Sequence, residues 1–302
     1  VTVLMLIYVF WLGHLNLKVR MSWRMRKLFK RILVYGGFTF LGNLSAITLY
    51  TIDGIMLAAY VGMKAVGIYT TSFYVTALIM IPWRAIQKVA SPQVSEHWRS
   101  GDMAALDRLY KRTSLINTGI GSYLYIVMII GMDLLFSMMP DDFGDGQSVL
   151  IIVGATRLLD MMTGLNGYIM LTSKYYRMDI VLNLAVVGSA ITLNLWLIPI
   201  MGIMGAALAT AIALGISNVL RVGFIWWKLG MHPFTKEMLY LSIVSVIAFM
   251  GQWILPDIGN VWTSFIFRTT IFSVLFVVPV SYFDLIPDAN RLLGSIRSKI
   301  KR

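Results

Sequence analysis

Among the ionisable side chains inside the long apolar segments of this 302-residue chain, four stand out: Asp53, Arg157, Asp160 and Arg268. A charged side chain at the centre of a bilayer costs about 2.5–3.5 kcal/mol on insertion scales. Such residues are therefore retained mainly where they bind a substrate, couple an ion or pair with one another. These four are the first candidates for a substrate or coupling site.

Each of the four also has a structural interpretation. Arg157 and Asp160 are three residues apart, so one helix face holds both, either as an ion pair or as a cavity cation modulated by a carboxylate. Asp53 lies on an unusually polar helix, which favours a water-lined face; snorkelling or a hinge role is the alternative. Arg268 lies early in its apolar segment, where snorkelling towards the surface is the alternative.

Nine apolar segments position these residues, and most reach the roughly 20 residues that a helix needs to cross hydrocarbon. A composition of 58% hydrophobic residues agrees with a chain surrounded mostly by lipid. The predicted fold is an all-α polytopic bundle of transmembrane helices with about nine spans, approximately residues 1–15, 32–62, 68–90, 113–139, 147–173, 179–199, 203–227, 239–255 and 262–283.

The basic residues predict the topology. All of the 26 Lys and Arg except Lys64, Arg157 and Arg268 lie in or beside alternate gaps between the apolar segments. By the positive-inside rule these gaps are cytoplasmic, which places Val1 outside and the C-terminus inside. The net charge of +12 is thus a topology signal towards anionic membrane lipids and does not indicate a nucleic-acid partner.

Two gaps are longer than turns. Residues 17–31 form a basic amphipathic stretch, which is either a helix on an anionic membrane surface or a solvated connector. Residues 91–112 predict a cytoplasmic helix against the bundle, with Gly101 as a turn and Asp102 as its N-cap.

The first residue lies inside an apolar segment that runs from outside to inside, with no preceding basic, signal-like region. We therefore expect an N-terminally truncated fragment. If the intact protein begins in the cytoplasm, an odd number of spans precedes this chain.

Two runs of the chain carry motif residues in a defined order. The run NLWLIPIMGIMGAALATAIA at 194–213 combines an Asn, a Leu-Ile-Pro turn and a small-residue helix face. The run at 66–102 has a Val-Gly-Ile-Tyr turn, a Pro at an inner helix end and a Gly-Asp pair. Both runs resemble polysaccharide flippases of the multidrug/oligosaccharidyl-lipid/polysaccharide exporter superfamily. The motif residues of the first run are Asn194, Pro199, Gly202, Gly205, Ala206 and Ala209.

The resemblance implies an architecture of up to fourteen helices, of which this chain would hold the sixth to the fourteenth. Residues 1–31 would then be the truncated equivalent of the sixth helix with a basic linker. Residues 32–227 would form the second, MATE-like six-helix bundle, and residues 228–302 an appended helix pair with a basic cytoplasmic tail. The missing N-terminal helices of the same protein are an implied partner.

The resemblance also implies an activity. Such proteins translocate a polyprenyl-diphosphate-linked oligosaccharide, as in O-antigen and lipopolysaccharide synthesis, across the bacterial cytoplasmic (inner) membrane by alternating access. Implied partners are membrane lipids and the polysaccharide polymerase and glycosyltransferases of the same pathway. No organic cofactor is implied. An inside-negative potential favours outward movement of two negative charges by roughly 4–5 kcal/mol per 100 mV; proton or sodium coupling is the alternative.

Further site residues follow from this activity. Arg84 and Arg221 are candidate contacts for the diphosphate, although anchoring at inner helix ends is their default interpretation. Tyr69 and Tyr74, together with Trp83, are candidates for stacking on sugar faces, with an interfacial aromatic belt as the alternative.

Other functions fit the residues less well. The three His residues lie at span ends or in loops, no Walker motif or His-Glu-x-x-His occurs, and Cys is absent. We therefore expect no catalytic residue, no metal site and no enzyme, which disfavours a membrane acyltransferase or glycosyltransferase. The principal alternative is a drug or organic-cation antiporter of the same superfamily, although acidic cavity residues would suit that function better than arginines.

Overall fold

The computed structural model describes residues 11, 23–256 and 258–288, and these are helical with no strand among them. This confirms the predicted all-α class. The chain divides into two compact units, residues 1–43 and 44–302, and the second contains every site discussed below. The predicted span at 1–15 lies outside the described residues apart from Trp11, as does the basic tail beyond residue 288. The predicted domain limits at residues 31 and 227 stay predictions.

The helices alternate with short turns and with 3₁₀ segments at Ala77–Ile79, Asp141–Phe143 and Gly251–Ile254. In chain order they are α1 (Trp23–Tyr60), α2 (Met63–Thr76), α3 (Met80–Ser100), α4 (Met103–Ile130), α5 (Met132–Ser137), α6 (Gly146–Thr163), α7 (Asn166–Thr172), α8 (Tyr176–Leu229), α9 (Lys236–Met250) and α10 (Val261–Tyr282).

Within the described residues, four helical stretches are long and apolar enough to cross a membrane: Met63–Ser100, Met103–Ile130, Tyr176–Leu229 and Val261–Tyr282. The pair α6 and α7, bent by 52°, adds a fifth if it is one span. The protein is thus a multi-pass membrane protein. These numbers differ from the nine predicted segments partly because α8 contains two of them.

Helix α8 is a hairpin of two antiparallel arms. Gly202 has φ 56 and ψ −127, outside the helical region, and follows Pro199 by three residues. Residues on the two sides of this break meet across it: Val186 and Ala190 pack against Ala213 and Leu214. The tight turn predicted at Pro199 and Gly202 is confirmed.

A second break separates α6 from α7. Gly164 has φ 63, a left-handed conformation that residues with a Cβ rarely adopt. A Cβ at this position would also collide with the Ser114 hydroxyl of α4. The span is therefore broken where α4 passes it. Broken helices in membranes leave polar backbone groups that commonly line binding sites.

Two further features lie outside the hairpin and the broken span. Gly101 ends α3 in a left-handed conformation, and the Asp102 carboxylate accepts a 2.8 Å hydrogen bond from the Ala105 amide, so the predicted turn and N-cap are confirmed.

Helices α9 and α10 pack on α4 through a separate apolar cluster that includes the fully buried Leu241 and Phe272.

Candidate functional site

Asp53 is the centre of a buried hydrogen-bond network. Its carboxylate accepts hydrogen bonds from the Tyr69 hydroxyl at 2.6 Å, from the Asn194 amide at 2.6 Å and from the Thr210 hydroxyl. All four residues are at most 2% exposed. The network joins α1, α2 and both arms of the α8 hairpin, and Asp53 does not reach the surface, so the snorkelling interpretation is wrong.

Asn194 and its neighbours in the motif have structural roles. Asn194 on the first arm of α8 and Thr210 on the second both reach Asp53, because the turn at Pro199 and Gly202 folds the second arm back onto the first. A Cβ on Gly205 would collide with the Leu197 carbonyl group, so only glycine permits this approach. The remaining small residues of the motif, Ala206 and Ala209, are fully buried.

Arg157 lies beside this network on α6. Its side chain is 6% exposed, and its guanidinium carbon lies 4.8 Å from the centre of the Phe73 ring. Phe73 in turn contacts Tyr69, with ring centres 5.9 Å apart, so α2 carries one aromatic side chain towards Asp53 and one towards Arg157. A cation above an aromatic face is held by electrostatic attraction.

The predicted pairing of Arg157 with Asp160 is present but loose. The Nη1 atom of Arg157 is 4.0 Å from Oδ2 of Asp160, which is too long for a hydrogen bond. The other carboxylate oxygen, Oδ1, accepts a 2.5 Å hydrogen bond from the Asn218 amide. Asp160 is therefore oriented by Asn218, while its charge is shared with Arg157 across a gap.

Asn218 links the helix break to the hairpin. Its Oδ1 atom accepts hydrogen bonds from the Thr163 hydroxyl at 2.9 Å and from the Asn166 amide at 3.1 Å. Thr163 and Asn166 flank Gly164, where α6 ends. One side chain on the second arm of α8 thus holds both sides of the broken span.

Arg221 forms the tightest ion pair of the hairpin. Its Nε atom lies 2.9 Å from Oδ1 of Asp179, and its Nη2 atom donates a 2.6 Å hydrogen bond to Oδ1 of Asn183. Asn183 also donates to Asp179 at 3.2 Å. The side chains of Arg221 and Asp179 are 18% and 9% exposed. The pair connects the two arms at the end distant from the turn.

A cavity of about 860 Å³ brings most of the predicted site residues together. Its charged lining residues are three arginines and one carboxylate, so the formal charge of its described lining is positive. Aromatic and apolar side chains provide much of the remaining wall. The predicted residues that line it are Tyr69, Tyr74, Arg84, Arg157, Asp160 and Arg221.

These residues differ in accessibility. Arg84 and Tyr74 are exposed, Tyr74 at 70%, whereas Tyr69 is 2% exposed with its hydroxyl group on Asp53. Tyr74 therefore suits contact with a ligand, and Tyr69 suits a structural role. Trp83, also in the wall, has a buried indole N–H with no acceptor among the described residues. A ligand oxygen could accept from it.

Arg268 is not part of this cavity. It lies on α10 and lines two smaller cavities, of about 320 and 220 Å³, together with Asp133. Its Nη2 atom is 3.5 Å from the Leu255 carbonyl oxygen. The structure therefore separates Arg268 from the other candidates that the sequence grouped with it.

Comparison with known proteins finds similarity over part of the chain. A family model described as polysaccharide biosynthesis protein matches residues 1–139. The probable flippase AglR of Haloferax volcanii is 27% identical over 194 residues, which cover 61% of this chain and 40% of AglR. Together these two matches support the assignment of this chain to the polysaccharide flippases. This confirms the resemblance seen in the motif residues.

A second relative covers more of this chain. The uncharacterized membrane protein MJ1068 of Methanocaldococcus jannaschii is 25% identical over 269 residues, which cover 86% of the chain and 50% of MJ1068. The chain thus matches at most half the length of either relative.

Sequence analysis did not identify several residues that organise this site. Asn218 and Asn183 are amides within apolar runs, a signal comparable to that of the charged residues but not used. Asp179 lies at the edge of its predicted span and was treated as a boundary. Phe73 was not distinguishable from the many other aromatic residues, because only the structure places Arg157 over it.

Proposed function

We propose that this chain is part of a flippase that moves a polyprenyl-diphosphate-linked oligosaccharide across the cytoplasmic membrane by alternating access. The observation that carries the proposal is the cavity in which Arg84, Arg157 and Arg221 outnumber the single carboxylate of Asp160. A diphosphate carries about two negative charges, and guanidinium groups bind phosphate oxygens with two-pronged hydrogen bonds.

The three arginines are equipped for different tasks. Arg84 is exposed at the cavity wall and suits first contact with the diphosphate. Arg157 is buried in the cavity wall beside Phe73, where its guanidinium group suits binding of phosphate oxygens. Arg221 is held by Asp179 and Asn183, and the Asp179 carboxylate offsets its charge, so it suits positioning the two arms of the hairpin at the cavity wall.

The rest of the cavity wall suits the non-ionic parts of the substrate. Tyr74 and Trp83 present aromatic surface on which sugar rings can pack. The wet cavity removes the cost of placing hydrated sugars in hydrocarbon, while the isoprenoid chain stays in lipid. An inside-negative membrane potential favours outward movement of the charged head group, with proton or sodium coupling as the alternative.

The location and partners follow from this activity. We place the basic gaps and the C-terminus on the cytoplasmic side. The missing helices of the same protein would complete the second wall of the cavity, and the polymerase and glycosyltransferases of the pathway would act before and after translocation. Assignment to a bacterial inner membrane stays a prediction.

The positive charge of the cavity lining disfavours a drug or organic-cation antiporter. A cation requires accessible carboxylates, but Asp53 is buried under three donors and Asp160 is held by Asn218. The positive lining would repel an organic cation. An enzymatic role is disfavoured because no His or Glu is among the described lining residues that could serve as a general base.

The test uses the full-length natural protein in cells that lack their own polysaccharide flippase. Arg157→Ala is expected to lower surface polysaccharide about tenfold or more, because a charge-assisted hydrogen bond contributes about 1.5–3 kcal/mol. Lipid-linked oligosaccharide should accumulate on the cytoplasmic side. Arg157→Lys keeps the positive charge but loses the planar, two-pronged donor arrangement of the guanidinium group, so it should retain part of the activity.

The matched control is Arg112→Ala, which removes an exposed arginine whose partner, Asp288, lies outside the cavity. It should support normal surface polysaccharide at equal membrane abundance. Normal transport by Arg157→Ala would contradict the proposed anion site. Efflux of organic cations without restored polysaccharide would favour the antiporter.

A further inference from the structure

We propose a second binding site, for a zwitterionic phosphoethanolamine lipid head group, between α4, α9 and α10. It is separate from the cavity of Arg157 and does not depend on what that cavity transports. The site consists of Arg268, Gln252 and Asp133, with apolar walls from Ile129, Ile130 and Phe249. It combines one cation, one anion and one buried amide in a lipid-facing position.

The buried amide is the observation that points to a ligand. Gln252 is 4% exposed, and its Nε2 atom donates a 3.0 Å hydrogen bond to the Arg268 backbone carbonyl. Its Oε1 atom is buried and accepts no hydrogen bond from any described residue. A buried acceptor without a donor costs about 1–3 kcal/mol, so a ligand with an N–H group would remove this penalty.

The charges of Arg268 and Asp133 indicate which charged groups the ligand carries. Arg268 provides a guanidinium group for a phosphate, and Asp133 provides an exposed carboxylate for a cation. Both residues also line the adjoining cavity that reaches Gly259 and Asn260. A head group with a phosphate and a primary ammonium group joined by a short linker matches this set, because the ammonium group can donate to Gln252 and Asp133 together.

Size and surroundings favour a head group of a membrane lipid. The cavity of about 320 Å³ lies at the lower limit for small-ligand pockets, which admits a head group but not whole acyl chains. Only 11% of the apolar window of α10 is buried within the protein, and Ile266 of this helix is 60% exposed. Acyl chains can therefore lie along α10 while the head group enters the cavity.

The experiment measures lipid binding to the full-length protein in detergent by native mass spectrometry. Phosphatidylethanolamine is expected to bind about tenfold more tightly than phosphatidylcholine, whose trimethylammonium group has no N–H to donate. Gln252→Met and Asp133→Asn should each remove most of this preference, and Arg268→Gln should weaken both lipids. Equal binding of the two lipids to the wild type would overturn the proposal.

Controls separate the lipid site from simple anion or surface binding. Lys64→Gln changes an exposed cation paired with Asp142 and should leave the preference intact. Phosphatidylglycerol or soluble glycerophosphoethanolamine binding as tightly as phosphatidylethanolamine would refute a zwitterionic lipid site. Asp133 is exposed, so Asp133→Asn should fold normally, and an unchanged lipid preference in that variant would also overturn the assignment.

Discussion

The amide of Asn218 donates a 2.5 Å hydrogen bond to the Asp160 carboxylate, across the interface between the α8 hairpin and α6. The same side chain accepts from Thr163 and Asn166, on the two sides of the helix break. The position of the single carboxylate in the candidate cavity is therefore set by a residue on a different helix.

Asn218→Leu should destabilise the protein by about 1–3 kcal/mol, because Asp160 loses a donor and two other side chains lose their acceptor. Denaturant unfolding of the full-length protein in detergent measures the change. Val219→Leu, at a neighbouring position that is 72% exposed, should stay within about 0.5 kcal/mol of wild type. Equal stability of the two variants would argue against a role of Asn218 in holding the break.

Asp53→Ala should destabilise the protein by about 3 kcal/mol or more, because three buried donors lose a common acceptor. The matched control is Asp142→Ala, which removes an ion pair with Lys64 in which both side chains are about two-thirds exposed. That change should be within about 1 kcal/mol. The unfolding midpoint and the amount of protein in the membrane are measured for both variants. Similar values would contradict the role of Asp53 as the centre of the hydrogen-bond network.

Gly205→Ala should destabilise the hairpin by about 1–3 kcal/mol, since the new methyl group would overlap the Leu197 carbonyl and force the arms apart. Gly215→Ala, on the same arm, has open space for its Cβ and should leave stability unchanged or raise it by up to about 1 kcal/mol. Unfolding of both variants under the same conditions tests the difference. A stable Gly205→Ala protein would show that the arms tolerate wider spacing.

Asp179 and Arg221 should be coupled by about 1–3 kcal/mol in a double-mutant cycle with Asp179→Asn and Arg221→Gln. Both side chains are mostly buried, so solvent screens them little. The exposed pair of Lys64 and Asp142, measured in the same way, should give about 0–1 kcal/mol. Coupling energies of equal size would mean that burial does not strengthen the hairpin pair.

Sequence reasoning predicted the helical membrane class, the turn at Pro199 and Gly202, and the charged residues that line the large cavity. These features follow from local signals: apolar length, turn chemistry and the cost of charge in lipid. Which helix each charge faces depends on non-local packing. For this reason Arg268 was grouped with Arg157, although it lies at a different cavity, and Asn218 was overlooked.

The hydrogen-bond partners and the exposure of a side chain were equally difficult to predict. Tyr69 and Tyr74 are five residues apart and looked equivalent in sequence, yet one is buried on Asp53 and the other is exposed in the cavity wall. Similarly, Asp53 appeared accessible because its helix is polar. Its three partners come from segments up to 157 residues away, so no local pattern predicts them.

The α8 hairpin has a consequence for biogenesis. Its first arm carries Asp179, Asn183 and Asn194. Asp179 and Asn183 contact Arg221 on the second arm, whereas Asn194 contacts α1. Of these residues, Arg221 is synthesised last. A nascent chain that released the first arm alone into lipid would expose these groups without Arg221. We expect the insertion machinery to retain the first arm until the second has emerged and to release both together. Crosslinking of ribosome-bound chains that end before or after residue 221 would detect this delay.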